Sequence, residues 1–414
     1  MQEKNTDIII FTLFRTDHEY SSVSLSWAKE FAKNNRVFYV NHPYSLRDFF
    51  AKIKEPKLRE RAFYLLTGQT KFEKLSEIPE NFIAIQPAIT LPINWLPPGR
   101  IYDFFQNLNN RVVLRAIRKT IRKFEIREFI FLNCYDPYYA GFLPKNFGQK
   151  LSIYQCIDDI SQDAYSLKHG KKLEQEAIAN SDFALVTSTR LKSILEKYNP
   201  STYVAQNAVD ISIFEKTLTT RFPKPAEIAA VKTKIIGFTG NLDYLRIDYE
   251  LLRKIALDHS DKTLLLVGPV NSQEFYEKGL DKLPNVIFTG GKKIYELPHY
   301  LQYMDVCIIP FLCNTLTESI YPLKVNEYLA AGKPVVSTSF SDDIRDFREV
   351  VYLADSEAAF LDLLDRAILE NDAKKTEARA AVAAKNTWAA RVQYFWNLVN
   401  KHLGKKSERM FERV

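Results

Sequence analysis

Short apolar runs, rich in β-branched and aromatic residues, alternate with longer amphipathic stretches along the whole chain, and the alternation restarts once. Residues 7–14, 37–41, 129–133, 151–155 and 184–188 carry the strand signal in the first half. Residues 234–239, 263–268, 286–289, 306–310 and 334–338 carry it in the second. Runs that stay apolar on consecutive positions are buried on both faces, as central strands of parallel sheets are. Helical periodicity fills the intervals at 22–34, 111–124, 171–180, 191–198, 247–258, 294–304 and 323–331. Strand and helix alternating along the chain predict right-handed βαβ units. Residues 216–233 carry no strand signal and two prolines, and read as a linker. The expectation is an α/β protein of two doubly wound, Rossmann-like domains, 1–215 and 234–385, facing a cleft. A terminal segment, 386–414, has Ala389, Val392, Phe395, Trp396 and Val399 at helical spacing, and this face needs a partner, for which the first domain is the candidate.

The length of 414 residues fits two domains and is too long for one ordinary domain. Hydrophobic residues make up 46% and charged residues 26%, which excludes a disordered or fibrous chain. Cys134, Cys156, Cys307 and Cys313 show neither zinc-knuckle nor Cys-x-x-C spacing, so a reducing cytosol without a structural metal is expected. The first residues lack the basic and long apolar regions of a signal peptide, and no apolar run approaches the roughly 20 residues of a bilayer span. The formal net charge of +7 is mild, so the distribution of charge matters more than its total.

The second domain holds an ordered series of short motifs. These are Gly237-Phe238-Thr239-Gly240-Asn241-Leu242, then 246–252, then Leu266-Val267-Gly268-Pro269, Leu283-Pro284-Asn285-Val286, Phe288-Thr289-Gly290 and 305–311. The last is Tyr321-Pro322-Leu323-Lys324-Val325-Asn326-Glu327, continuing to Val336. In order and spacing this series resembles the family 4-type (group 1) glycosyltransferases of the GT-B fold, most closely those of bacterial cell-surface polysaccharide and teichuronic-acid-type synthesis. The resemblance covers about 235–338. In the first domain, Ile157-Asp158-Asp159, 184–188 and Asn207-Ala208-Val209-Asp210 are similar to the family's segments before its linker, with Ala208 where the family usually has Gly.

A nucleotide-diphosphate-sugar donor needs backbone N–H groups at a helix start and a cation for its diphosphate. Pro322 suits the start of the helix 323–331, and Lys324 lies in its first turn, where a cation disfavours the helix unless an anion binds there. A solvated surface lysine is the alternative. Glu327 matches the second Glu of the family's Glu-x7-Glu motif, which implies that it holds the ribose hydroxyls; an i,i+3 ion pair with Lys324 is the plainer use. Where the motif's first Glu is expected stands Ser319, with Glu318 beside it. Glu318 from a shifted loop, or Asn314, Thr315 and Ser319, are the candidates for the sugar, and Val325 is a further donor-binding candidate. Gly240 and Gly268 permit close backbone approach after their strands, and Asn241 shares the first of these loops. Arg246 is a diphosphate candidate. Asp248 is either a donor-site residue or a helix cap.

The first domain is expected to hold the acceptor, with Asp17 or His18 in the loop after the first strand orienting the reacting groups. The resemblance implies a retaining hexosyl transfer with no metal or other cofactor. Residues 111–127 hold seven basic side chains against one acidic, Glu125, with Val113, Ile117, Ile121 and Phe124 as a helical stripe. This helix either lies on anionic lipid or packs inward with a solvated basic face. The predicted partners are thus a nucleotide-sugar donor, a glycan or lipid-linked acceptor and an anionic membrane surface, but no nucleic acid. The location expected is cytoplasmic, peripheral on the inner face of the cell membrane. Two rival functions share the architecture: a sugar-nucleotide 2-epimerase, and a non-catalytic glycan-binding or scaffolding protein.

Overall fold

The computed structural model describes residues 6–17, 22–75 and 78–411. The chain forms two units. One comprises the residues up to Thr187, Leu191–Ala205 and the chain from Val392 onward; the other comprises Ser188–Arg190 and Gln206–Arg391.

The first unit is built on eight strands: β1 (Asp7–Thr12), β2 (Val37–Asn41), β3 (Lys71–Glu73), β4 (Phe82–Gln86), β5 (Phe129–Cys134), β6 (Gln149–Cys156), β7 (Phe183–Val186) and β8 (Thr202–Val204). Their order is β3-β4-β2-β1-β5-β6-β7-β8, parallel except for β3. β1 is flanked by β2 on one side and β5 on the other, so the winding reverses at β1. Ligands of such sheets bind where the strands end at that reversal. The loops after β1, β2 and β5 therefore share the edge that matters.

The second unit has six parallel strands: β9 (Ile235–Thr239), β10 (Thr263–Val267), β11 (Val286–Phe288), β12 (Val306–Ile309), β13 (Val335–Thr338) and β14 (Tyr352–Ala354). The order β11-β10-β9-β12-β13-β14 puts the reversal between β9 and β12. Leu264, Leu265, Leu266, Ile308 and Ile309 are at most 1% exposed, so both faces of the sheet are covered.

All ten predicted strands form. The four that the sequence reading omits are β3, β4, β8 and β14, three of them only three residues long. Helix Arg100–Lys123 starts well before the expected position. Asn109 and Asn110, inside the added turns, have tertiary partners. Asn109 accepts from the Leu91 N–H at 2.8 Å and donates to the Leu91 carbonyl at 2.9 Å, and Asn110 accepts from the Ala140 N–H at 2.8 Å. Val113 and Ile117 are buried, with Ile121 and Phe124 packed against the same core. The stripe faces inward, and Arg111, Arg115, Arg118, Lys119, Arg122 and Lys123 are exposed.

Residues 216–233 differ from the expected linker. They fold into a short helix, Lys216–Thr219, and a 3-10 turn, Ala226–Ile228, inside the second unit. Ile228 is fully buried, the Thr217 hydroxyl donates to the Ala331 carbonyl at 3.1 Å, and the Phe222 N–H donates to Gln302 at 2.8 Å. Prolines without a strand signal marked irregular backbone, not freedom from packing. The last helix runs Trp388–Phe411, and its apolar face from Val392 onward packs in the first unit. Phe395 lies 4.9 Å from Phe31 and Trp396 lies 6.2 Å from it, centroid to centroid.

Candidate functional site

At the reversal point of the second sheet, β9 ends in Thr239 and the chain turns at Gly240, with φ +134°. Opposite it, Pro322 stands as N-cap before helix Leu323–Ala330, whose first two N–H groups, of Leu323 and Lys324, have no intrahelical acceptor. Tyr328 fixes the two elements together: its buried hydroxyl accepts the Thr239 N–H at 2.9 Å. Lys324, one turn earlier on the same face, is thereby laid across Gly240. A Cβ on Gly240 would lie 2.2 Å from Lys324 Cε and 2.7 Å from its Nζ. Gly268 is needed for a similar reason, since a Cβ there would meet the Gly240 carbonyl oxygen at 1.8 Å. The Lys324 ammonium also sits 5.5 Å from the Phe238 ring centre, in β9, and 5.8 Å from that of Phe311, just after β12. Lys324 is not a solvated surface lysine.

Glu327, one turn further on, is 8% exposed. Burial pushes its carboxyl up to about 7, with the Lys324 charge pulling the other way. Burial lowers Lys324, while Glu327 favours its charged form and Arg246 opposes it. The two attract but do not close an ion pair among the described residues. Among the described residues no group donates a hydrogen bond to the Glu327 carboxylate. A buried carboxylate and a nearby cation that attract without a hydrogen bond between them among the described residues gain from a ligand that satisfies both. The pair can hold two hydroxyls at the carboxylate and an anion at the ammonium and helix start.

The other candidates divide. Arg246 reaches the field of Lys324 and lies 3.9 Å from Asp243. Asn241 accepts from the Asn271 amide at 3.0 Å on the adjoining loop. Asp248 caps helix Tyr249–Asp258, accepting the Leu251 N–H at 2.9 Å. Asn314 caps the turn Thr315–Glu318, accepting the Thr317 N–H at 2.9 Å. Thr315 is exposed beside it. Ser319 is 1% exposed and its hydroxyl donates back to the Thr315 carbonyl at 3.2 Å, a bond internal to that turn. Glu318 is half exposed, 4.0 Å from Arg190. Val325 is fully buried, and its N–H bonds the Pro322 carbonyl at 3.3 Å. The structure thus gathers Gly240, Gly268, Lys324 and Glu327 and leaves Asp248, Asn314, Ser319 and Val325 in local backbone roles. Ala208 is not among the residues with positive φ.

In the first unit, Asp17 is committed to a buried network. Tyr44 and Arg61 both donate to its Oδ2 at 2.5 Å, and Arg61 also grips Glu73 at 2.7 Å and 3.0 Å. Burial alone would raise the Asp17 carboxyl, but the Tyr44 hydroxyl and the charges of Arg61 and Arg15 lower it overall. His18 lies outside the described residues. The sequence reading missed a second pair at this edge: His42, after β2, and Asp136, after β5, meet Nδ1 to Oδ2 at 2.6 Å. Asp136 is fully buried, its other oxygen accepts the Tyr138 N–H at 3.0 Å, and Tyr135 before it has φ +61°. His42 following a strand was the one visible signal; its partner lies 94 positions away. Among the described residues no group of three His, Cys, Asp or Glu side chains could hold a metal ion, and no helix is long and apolar enough to cross a membrane.

Residues 233–369 match the family model for glycosyl transferases group 1. Over 228 residues the chain is 27% identical to the putative teichuronic acid biosynthesis glycosyltransferase TuaH of Bacillus subtilis (strain 168), covering 53% of this chain and 56% of that protein. The match therefore spans about half of that relative. Among solved structures, an α,α-trehalose-phosphate synthase (UDP-forming) from Burkholderia vietnamiensis superposes with a TM-score of 0.71 at 10% identity, over 97% of this chain and 98% of its own. Anabaena HepE in complex with UDP and glucose gives a TM-score of 0.62 at 13% identity, over 96% and 100%. The fold is GT-B.

Proposed function

We propose that this chain, which carries a group 1 glycosyltransferase domain in a GT-B fold, moves a hexose-type sugar from a nucleotide diphosphate onto a glycan or lipid-linked acceptor in cell-surface polysaccharide synthesis. One observation carries the reading: Lys324 lies across Gly240 at the sheet's reversal point, with Glu327 buried one turn on and without a hydrogen-bond donor among the described residues. In this scheme the N–H groups at the start of helix Leu323–Ala330 and the Lys324 ammonium take the diphosphate. Negative charge grows there as the glycosidic bond breaks, so these groups bind the transition state more strongly than the ground state. Glu327 takes the vicinal ribose hydroxyls and fixes the nucleotide. Arg246, Asn241 and Gly268 border the same loops. Glu318 and Thr315 are the sugar-side groups.

Retention at the anomeric carbon follows the family resemblance. The first unit supplies the acceptor half, with Asp17 positioning through its ion pairs and His42–Asp136 able to orient a hydroxyl. The diphosphate's charge is met by a lysine and backbone amides, so the reaction needs no metal. The exposed basic face of helix Arg100–Lys123 draws the protein to the anionic inner face of the cell membrane.

Because the HepE complex holds UDP, UDP-sugars come first in a thermal-shift screen against GDP- and dTDP-sugars. A stabilising sugar nucleotide is then incubated with and without acceptor. Acceptor-dependent release of the nucleoside diphosphate supports transfer. Rearrangement of the sugar without acceptor refutes it in favour of epimerisation, and absence of binding to any sugar nucleotide refutes both.

A further inference from the structure

The first unit contains a cavity of about 240 Å3. Leu46, Leu66, Ile89 and Val112 are among its walls, and Arg115 and Lys119 are the two cations that line it. Its walls come from three places: helix Leu46–Lys52, helix Pro56–Leu66 and one face of helix Arg100–Lys123, with the segment after β4 between them. At roughly 30 Å3 per small group, it has room for about eight, fewer than a whole nucleotide-sugar requires. Pockets for complete small ligands start at about 300 Å3. The space suits one segment of a longer molecule.

The chemistry of the walls narrows that molecule. The aliphatic lining favours hydrocarbon. Arg115 and Lys119 are one helical turn apart, exposed, and without an ion pair among the described residues. Adjacent like charges on one helix face repel, and an anion between them removes that cost. The same two short helices leave Phe50 69% and Phe63 64% exposed, an apolar surround that ordinary soluble surfaces avoid. Hydrocarbon beside paired cations is complementary to a chain ending in phosphate.

We infer that this cavity binds the hydrocarbon chain of a phosphate-bearing amphiphile, with Arg115 and Lys119 holding the phosphate. A protein on an anionic bilayer would thereby draw one such molecule partly out of it. The inference rests on the transfer reading only for the first unit's role as the acceptor half; the binding itself needs no donor and no turnover.

The test is calorimetry on the full chain with linear alkyl monophosphates, from butyl to dodecyl, each below its micelle threshold, and inorganic phosphate as the control. Affinity should rise about fourfold per methylene and level off near octyl, when the cavity is full. Arg115→Gln with Lys119→Gln should weaken octyl phosphate on the order of tenfold. Leu66→Asp, at a position 61% exposed and so tolerant of change, should flatten the dependence on chain length; Val112→Trp, which fills the space from the helix side, should do the same. Affinity that climbs without levelling through dodecyl would mean adsorption on a surface and overturns the proposal. So would octyl phosphate binding no tighter than inorganic phosphate, or a length dependence unmoved by both Leu66→Asp and Val112→Trp. A plateau at octyl in a protein that fails to transfer sugar leaves the cavity standing and removes only the acceptor role.

Discussion

Replacing Glu327 by Gln should make the free protein more stable and the donor complex weaker. The side chain keeps its shape and loses its charge. In the free protein the carboxyl is held up from its ordinary 4.5 to about 7 by burial, which makes ionisation cost at most about 3 kcal/mol at pH 8. The sign follows from the direction. With a raised folded value, the penalty is absent below about 4.5, accumulates as the pH climbs to about 7, and is constant above that. Gln carries no such penalty. For a unit of this size 1 kcal/mol moves Tm by roughly 2–4 °C. Glu327→Gln should therefore melt several degrees above the wild type at pH 8, with most of the difference gone at pH 5. In the complex the carboxylate would accept two ribose hydroxyls, and losing one charged hydrogen bond costs roughly 1.5–3 kcal/mol. Donor Kd by calorimetry should rise about tenfold to more than a hundredfold. Unchanged donor affinity with raised Tm would show a strained carboxylate that does not touch the ligand. Equal Tm values at pH 8 would show that its burial is relieved by some other group, and the reasoning fails at its first step.

Lys324→Ala should weaken UDP far more than uridine, since only the former carries the anion; equal weakening would remove Lys324 from the diphosphate site. Gly240→Ala places a methyl 2.2 Å from Lys324 Cε at φ +134°; it should cost donor affinity at least as much as Lys324→Ala, and a variant that binds UDP normally would contradict the packing. Tyr328→Phe leaves the buried Thr239 N–H without its acceptor and should destabilise by about 1–3 kcal/mol, read by denaturant melting. Transfer should survive EDTA undiminished, and loss restored by a divalent cation would refute the metal-free scheme. Co-sedimentation with anionic vesicles should vanish when Arg115, Arg118, Arg122 and Lys123 become Gln. Because the apolar stripe of that helix is already packed inward, high salt should release most of the wild type, and binding insensitive to salt would contradict the electrostatic contact.

The strands that form both sheet centres were legible because burial on two faces leaves an uninterrupted apolar run. β1, β9 and β12 need no partner information to be seen. Three of the four edge strands were not. β3, β8 and β14 have three residues each, two of them with polar residues, and pairing with a neighbour decides them, whereas the equally short edge strand β11, Val-Ile-Phe, is apolar throughout and was seen. The same division runs through the site. Gly240 and Lys324 were readable as types suited to a phosphate, and the structure adds what spacing could not: the lysine lies over the glycine because Tyr328 ties its helix to the end of β9. Asp248 and Ser319 show the opposite case. Their residue types allowed a ligand role, yet each bonds its own helix or turn, and a short polar side chain cannot serve both tasks at once. His42 and Asp136 were unreadable as a pair because only the sheet order β2-β1-β5 makes them neighbours.

That sheet order bears on where charge is tolerated in this fold. Along the central strands most side chains are covered, and an ionised group there needs its own partner, as Asp7 at the start of β1 has in Arg36 at 2.5 Å and 2.6 Å. At the reversal points two neighbouring loops diverge, and groups can be buried by the surrounding loops while still facing outward. The first unit uses that position for two closed arrangements, Asp17 with Arg61 and Tyr44, and His42 with Asp136. Each satisfies its charges internally. The second unit uses the equivalent position for Lys324 and Glu327, which do not close on each other. An internally paired site is rigid and can orient an acceptor without being occupied. An unpaired one is costly when empty and gains most from a ligand with an anion and hydroxyls at fixed separation. The contrast predicts which half responds to nucleotide. Adding UDP should raise the melting temperature at pH 8 through the second unit, and that gain should shrink in Glu327→Gln by the affinity lost. The same addition to a variant with Asp17→Asn should give the full wild-type increment from a lower starting Tm. If Asp17→Asn erases the UDP increment as well, the two halves are not divided in this way.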